Sequence, residues 1–133
     1  MIFKKKSFTL IEIIIVIIII GILATLAVNQ YTPAKERAVG REAISTLRLI
    51  AAAEKIYRME IGGYYPPAAL SPVTTPLDIN SNLKISVNEN NWDYVISSTA
   101  VNNFTSNAIR QTGTGCRHSI DQNGNEIPTA SCP

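Results

Sequence analysis

Between Glu12 and Lys35 the chain carries no charged residue, and Ile13 to Ile20 is one unbroken block of Ile and Val. No other feature limits the fold as sharply. Ile11 to Val28 is just long enough to cross a bilayer as a helix, at ~1.5 Å per residue and ~30 Å of hydrocarbon. β-Branched residues are mediocre helix formers in water. Lipid removes that objection, because backbone groups with no water to bond must satisfy each other. Lys4, Lys5 and Lys6 stand in front of the block. The positive-inside rule puts them in the cytoplasm and everything after Val28 outside.

Composition matters here through its segregation. Hydrophobic residues make up 46%, near the globular average. Past the first 34 residues, however, the chain is polar, rich in Asn, Ser and Thr, with well-mixed charges. A fully soluble globular enzyme does not distribute its apolar residues this way. Disorder is excluded as well, since the polar part keeps Trp92 and a regular apolar spacing. At 133 residues there is room for one ordinary domain. The net charge of +2 is set by the N-terminus, because without residues 1–7 there are 9 Lys+Arg against 10 Asp+Glu. The body has no cationic surplus of the kind that drives phosphate-backbone binding, so nucleic acid is not a dominant partner.

Glu12 is the anomaly. A carboxylate inside an apolar run costs on the order of 2.5–3.5 kcal/mol at the bilayer centre and less near its edge. A plain signal anchor has no reason to keep it. A cleaved secretory signal, suggested loosely by Thr25-Leu26-Ala27, does not explain it either. Glu12 requires a partner, which makes it a functional candidate.

The stretch Lys5-Lys6-Ser7-Phe8-Thr9-Leu10-Ile11-Glu12, followed by the Ile block, Gly21 and Ile22-Leu23-Ala24, resembles the N-terminus of type IV pilins and of the pseudopilins of type II secretion. The resemblance is close over residues 4–31. It implies a cytoplasmic leader, 1–7, removed by a prepilin peptidase in the membrane, with cleavage between Ser7 and Phe8 and methylation of the new Phe8 amine. Glu12 is then the fifth residue of the mature chain and the candidate for charge pairing during assembly. Two positions depart from the family pattern. Ser7 stands where Gly is usual, and Asn29 stands where many members carry Pro, eight residues after Gly21. The family's helix often loosens between those points, so Gly21 and Asn29 bound the region to watch.

From Ala34 to Ile61 the spacing is amphipathic, with Ala43, Leu47, Ile50, Tyr57 and Ile61 on one stripe widened by Ile44 and Ala51. Gly62-Gly63 ends the helix and Pro66-Pro67 forbids its return. One helix over 8–61 is expected, on the order of 80 Å long, of which 8–33 is the membrane and filament-core part. Residues 62–133 form the head. Within it, 62–82 reads as an extended loop. Strands are expected at Leu83–Val87, at Trp92–Ser98, within Val101–Thr112 and at Arg117–Asp121. Trp92, Tyr94 and Ile96 alternate with polar neighbours, the mark of an antiparallel sheet buried on one face. Asn123-Gly124 reads as a tight turn. The expected class is α+β: a long N-terminal hydrophobic helix packed on a small antiparallel sheet, closed by a C-terminal loop, which agrees with the lollipop shape of pilins.

Cys116 and Cys132 are the only cysteines. In an exported segment a disulfide is the better reading, a free buried thiol pair the alternative. Closing the 15 intervening residues is worth roughly 3 kcal/mol by chain entropy.

Catalytic constellations lack parts. His118 is the only histidine, expected on a strand surface near the disulfide, so triads and multi-histidine metal sites are excluded. No phosphate loop occurs and no cofactor is implied. Asp121, Asn123 and Glu126 offer hard oxygen ligands within six residues, as some pseudopilin calcium loops do, but a plain hairpin turn explains the same residues. The chain therefore reads as a structural filament subunit rather than an enzyme. Its partners are copies of itself in a helical filament, the prepilin peptidase, an assembly platform and the membrane. A type IV pilin, extracellular after assembly, is the first reading, because no Asp-Pro-Trp-Gly stretch of the major pseudopilins is present and a C-terminal disulfide loop is common in pilins. A pseudopilin of a type II secretion or DNA-uptake system is the alternative. A membrane-anchored binding domain that never polymerises is the rival from another class. Adhesion, twitching motility, DNA uptake and secretion are not distinguished by the residues themselves.

Overall fold

The structure, a computed structural model, describes residues 8–112, 115–128 and 132, with residues 27–30 described by their backbone alone. It divides into two compact units, Met1–Glu36 and Arg37–Pro133. The long helix expected from the sequence is present as α1, Leu10–Ile61, 52 residues including Pro33. Lys4, Lys5, Lys6 and Ser7 lie outside the described residues.

In the first unit the helix starts at a cap the sequence reading did not single out. Thr9 accepts the Glu12 amide on both its hydroxyl, at 3.3 Å, and its carbonyl, at 3.1 Å. Thr9-Leu10-Ile11-Glu12 has the Thr-x-x-Glu spacing of a capping box, with Glu12 where an acidic side chain complements the helix N-terminus.

The second unit is the head. The stripe on α1 buries Ala43, Leu47 and Ile50 completely, together with Ala51 and Ala53. Ile61, expected on that stripe, is instead 66% exposed. It occupies the last helical position, just before Gly62 turns the chain away with φ +88° and an amide bond to the Arg58 carbonyl at 2.8 Å. That left-handed turn is cheap only for glycine.

Four antiparallel strands follow in simple meander order: β1 (Trp92–Ala100), β2 (Asn103–Arg110), β3 (Arg117–Asp121) and β4 (Glu126–Ile127). The register places Tyr94 opposite Ala108 and Ala108 opposite His118, and likewise Ile96, Ser106 and Ile120 in one row. Trp92, Tyr94, Ile96, Phe104, Ala108 and Ile120 are all buried in one core with the helix stripe. The Trp92 indole N–H donates to the Val39 carbonyl of α1 at 3.0 Å, satisfying the one polar group of the largest core side chain. The alternation along Trp92–Ile96 is as the sequence indicates.

Two expectations fail between helix and sheet. Residues 62–82 are not one extended loop: they contain a 3₁₀ turn, Ala68–Leu70, and most of a second helix, α2 (Pro76–Leu83). Pro76 sits at the helix start, where its missing N–H costs nothing, and the Thr75 hydroxyl bonds the Asp78 carboxylate. Ile79 and Leu83 then reach the core. Leu83–Val87 is not a strand. Lys84 ends α2 in the left-handed conformation, and the Asn80 side chain takes both backbone groups of Val87, accepting its N–H at 2.7 Å and donating to its carbonyl at 3.2 Å. With both groups satisfied by one amide, Val87 buries its side chain without a strand partner. The edge of β1 is covered instead by Val73, which exchanges two backbone bonds with Ile96 at 2.8 and 2.9 Å.

Cys116 and Cys132 are bridged, with Cα atoms 4.8 Å apart. Cys116 is buried in the core and its carbonyl accepts the Arg110 amide at 3.0 Å. Cys132→Ser is expected to lower the stability of the head by roughly 3 kcal/mol. Denaturation of the full chain in detergent, with and without reductant, checks it: equal midpoints for variant and oxidised wild type would refute the expectation.

Candidate assembly surface

Every large apolar side chain from Leu10 to Leu26 that the structure describes is exposed in the isolated chain, from 42% at Ile14 to 78% at Leu10. Phe8 is 72% exposed just ahead of them. Surfaces of this extent on a soluble protein mark contact with lipid or with other protein. Glu12 is exposed among these residues, in the first turn of α1. No single helix among the described residues is long and apolar enough by itself to cross a membrane; Leu10–Leu26 and Tyr31–Ile61 reach that mark only taken together. Ala27 and Val28, which belong to the expected span, fall in the stretch described by backbone alone.

Gly21 lies within the helix with open space around the place of a side chain. The backbone at Asn29 is helical. Thus both positions bounding the expected loosening are helical in the single chain.

The remaining candidates sit in the head and do not converge on a reactive site. Asp121 Oδ1 accepts the amides of Asn123 at 2.9 Å and Asn125 at 2.8 Å. Its own amide bonds the Asn125 carbonyl at 3.1 Å, and Gly124 turns with φ +85°. The Asn125 amide above all, helped by that of Asn123, holds the Asp121 carboxyl below its usual range. Glu126 is engaged elsewhere, its Oε1 3.1 Å from Arg48 of α1. These are the bonds of a hairpin turn.

His118 lies near the disulfide, as expected, but on the inward face of β3 rather than a strand surface. Its ring is 5.3 Å from that of Trp92, and its Nε2 is buried beside Gly40. Burial pushes its pKa down, partly opposed by Glu126. Ligand atoms of Cys116, His118 and Cys132 lie within 4.8 Å of one another, yet the two sulfurs are bonded to each other and are no thiolate ligands.

One residue escaped the sequence reading altogether. Glu54 is fully buried, with Oε2 accepting the Tyr65 amide at 2.8 Å. The signal was available: 54 falls between Ile50 and Tyr57 at the same four- and three-residue steps as the apolar stripe.

The prokaryotic N-terminal methylation motif matches residues 2–28. The type II secretion system core protein G of Escherichia coli (strain K12) is 34% identical, over 59% of this chain and 59% of that protein. The motif and this match both support the resemblance to the type IV pilin and pseudopilin family. The core protein G of Pectobacterium carotovorum subsp. carotovorum is also 34% identical, over 47% of this chain and 40% of its own, and that of Klebsiella pneumoniae 34%, over 46% and 44%. The matched span is therefore less than two thirds of these relatives. No solved structure matches.

A turn and a cation loop make different demands on Asp121. Asp121→Ala is expected to speed hydrogen exchange at the Asn123 and Asn125 amides while β1 and β2 stay protected, with no response of the wild-type unfolding midpoint to calcium. A calcium-induced rise in that midpoint, abolished by Asp121→Ala, would assign the loop to the cation instead.

Proposed function

We propose that this chain is a pseudopilin: a structural subunit made as a single-pass inner-membrane precursor, head outside, then cut, methylated and polymerised with copies of itself in a type II secretion or related DNA-uptake machine. The observation that carries this reading is the 34% identity to core protein G over 86 residues, a length that the 2–28 motif cannot contain. It favours the secretion alternative over a type IV pilus. A pilus fibre retains two arguments, the C-terminal disulfide loop and the lack of an Asp-Pro-Trp-Gly stretch.

Assembly follows from the exposed helix. A helix leaving lipid must rebury its apolar surface, and packing against copies of itself does so. Cleavage before Phe8 creates an α-amine that is cationic at neutral pH, given an ordinary pKa near ~8, and methylation keeps that charge. Glu12 lies four residues on, one helical turn away, and the amine of a neighbouring copy comes within reach if copies stack with an offset of about one turn. In a low-dielectric fibre core an unpaired carboxylate costs several kcal/mol. Pairing therefore favours one axial register over others.

Two substitutions test the scheme. Glu12→Gln keeps shape and loses charge; it is expected to insert and to fold its head normally, but to give few or no filaments by electron microscopy. Wild-type filament yield from this variant would remove charge pairing from assembly. Ser7→Leu is expected to block processing, because the residue before the cut must be small, leaving a precursor whose intact mass still includes residues 1–7. Ser7→Gly is expected to process at least as well as wild type. N-terminal sequencing separates the non-polymerising anchor: a methylated start at Phe8 supports the pseudopilin, a retained Met1 the anchor.

A further inference from the structure

Glu54 is a carboxyl in the core with one of its two oxygens unpartnered. Oε2 receives the Tyr65 amide at 2.8 Å, whereas Oε1 is buried without a hydrogen-bond partner. A carboxylate offers about four acceptor sites, and a buried one with a single donor and no cation is costly. Arg58, one turn on along the same helix, is engaged elsewhere: it donates to the Tyr64 hydroxyl at 3.1 Å and to Asn102 Oδ1 at 3.3 Å. Lys55 is exposed. The groups that face the Glu54–Tyr65 pair bring no positive charge. Tyr57 of α1 packs edge-on against Tyr65, with ring centroids 5.7 Å apart, and Asp78 of α2 acts on Tyr65 as a further negative group. Asn82 of α2 donates to the Tyr65 hydroxyl at 3.2 Å and is neutral.

The bond also has a strategic position. It ties α1 to the chain that leaves it, because Gly62 ends the helix and Tyr64 and Tyr65 then re-enter the core. Tyr64 is held beside it by an amide bond to the Val101 carbonyl at 3.2 Å.

The geometry points to a proton-gated latch. With its proton, the Glu54 carboxyl seats Tyr65 and closes the connection between α1 and the rest of the head; without it, the carboxylate draws in water and the connection opens. Burial, opposed only in part by the Tyr65 amide, raises this carboxyl from 4.5 to about 7. The sign follows from proton linkage. The folded head holds this proton more tightly than the unfolded chain, so the stabilisation is complete below 4.5 and is lost as pH rises to about 7. Fully expressed, that difference lowers the folding equilibrium constant by about 300-fold. His118 titrates with the opposite sign, since a buried neutral imidazole is lost on acidification. A difference between wild type and a Glu54 variant removes it.

The latch does not depend on which filament the chain builds, and its test is independent of assembly. Full-length protein in detergent micelles is unfolded thermally from pH 4.5 to 8, beside Glu54→Gln. The wild-type midpoint, relative to the variant, is expected to fall across this range and to level off above pH 7. Hydrogen exchange at the Tyr65 amide, corrected for its intrinsic pH dependence, is expected to rise between pH 5 and 8 in wild type only. If the variant fails to fold, the wild-type protein decides by carboxyl carbon NMR. Titration of Glu54 near 7 together with loss of Tyr65 protection sustains the latch. Titration near 4.5, or unchanged Tyr65 protection after ionisation, overturns it.

Discussion

Water cannot be left on the first stretch of α1. Its Ile, Leu and Val side chains between Leu10 and Leu26 are exposed among the described residues. Each one reburied is worth roughly 1.5–3 kcal/mol, so the helix is driven to bury this surface against lipid or other protein. Everything specific about the amino-terminal unit is a modification of that drive. The cap at Thr9 starts the helix, and Glu12 places a charge beside the apolar block, which under the proposed assembly would make one packing register better than its neighbours. Apolar packing alone is tolerant of axial sliding, because Ile and Val repeat at every position of the block. A charge is not tolerant of it.

The head is held by a different chemistry. Its composition is rich in Asn, Ser and Thr, and several of these side chains act as clips on the backbone rather than as reactive groups. Asn80 takes both polar groups of Val87, Asp121 gathers the amides of the β3–β4 turn, and Asn103 accepts the Ala100 amide at 2.9 Å where β1 turns into β2. Ser71 does the same for Ser98 at 2.9 Å. Such local bonds let irregular segments satisfy their backbone without strand or helix partners. Polar residues used this way explain why so many donors and acceptors converge on no active centre.

What was legible in the sequence follows the same division. The apolar block and the alternation of Trp92, Tyr94 and Ile96 each report directly on burial, and the corresponding elements stand where they were expected. The segment between helix and sheet was misread because its structure comes from side-chain clips. Four prolines suggested an extended loop, yet Pro76 opens α2, and Leu83–Val87 had the composition of a strand while Asn80 supplied the bonds that a strand partner would have given. Glu54 was passed over for a related reason. A carboxylate on an apolar stripe reads as an interruption, and its burial becomes evident only when the Tyr65 amide is seen to meet it, eleven residues on.

The helix of the amino-terminal unit also contains its own weak points, and they are not equivalent. Gly21 costs up to about 1 kcal/mol relative to alanine through backbone entropy, but it keeps every helical hydrogen bond. Pro33 has no N–H, so the carbonyl of Asn29 loses the donor that would normally come from four residues on. In lipid an unpaired carbonyl is expensive, whereas water or a neighbouring copy can supply a donor. The price of opening the turn at Asn29 is therefore partly met already in the sequence, while opening at Gly21 must break bonds that are intact. A pattern with proline at the Asn29 position would move the missing donor four residues upstream. This chain instead places its defect four residues closer to the head.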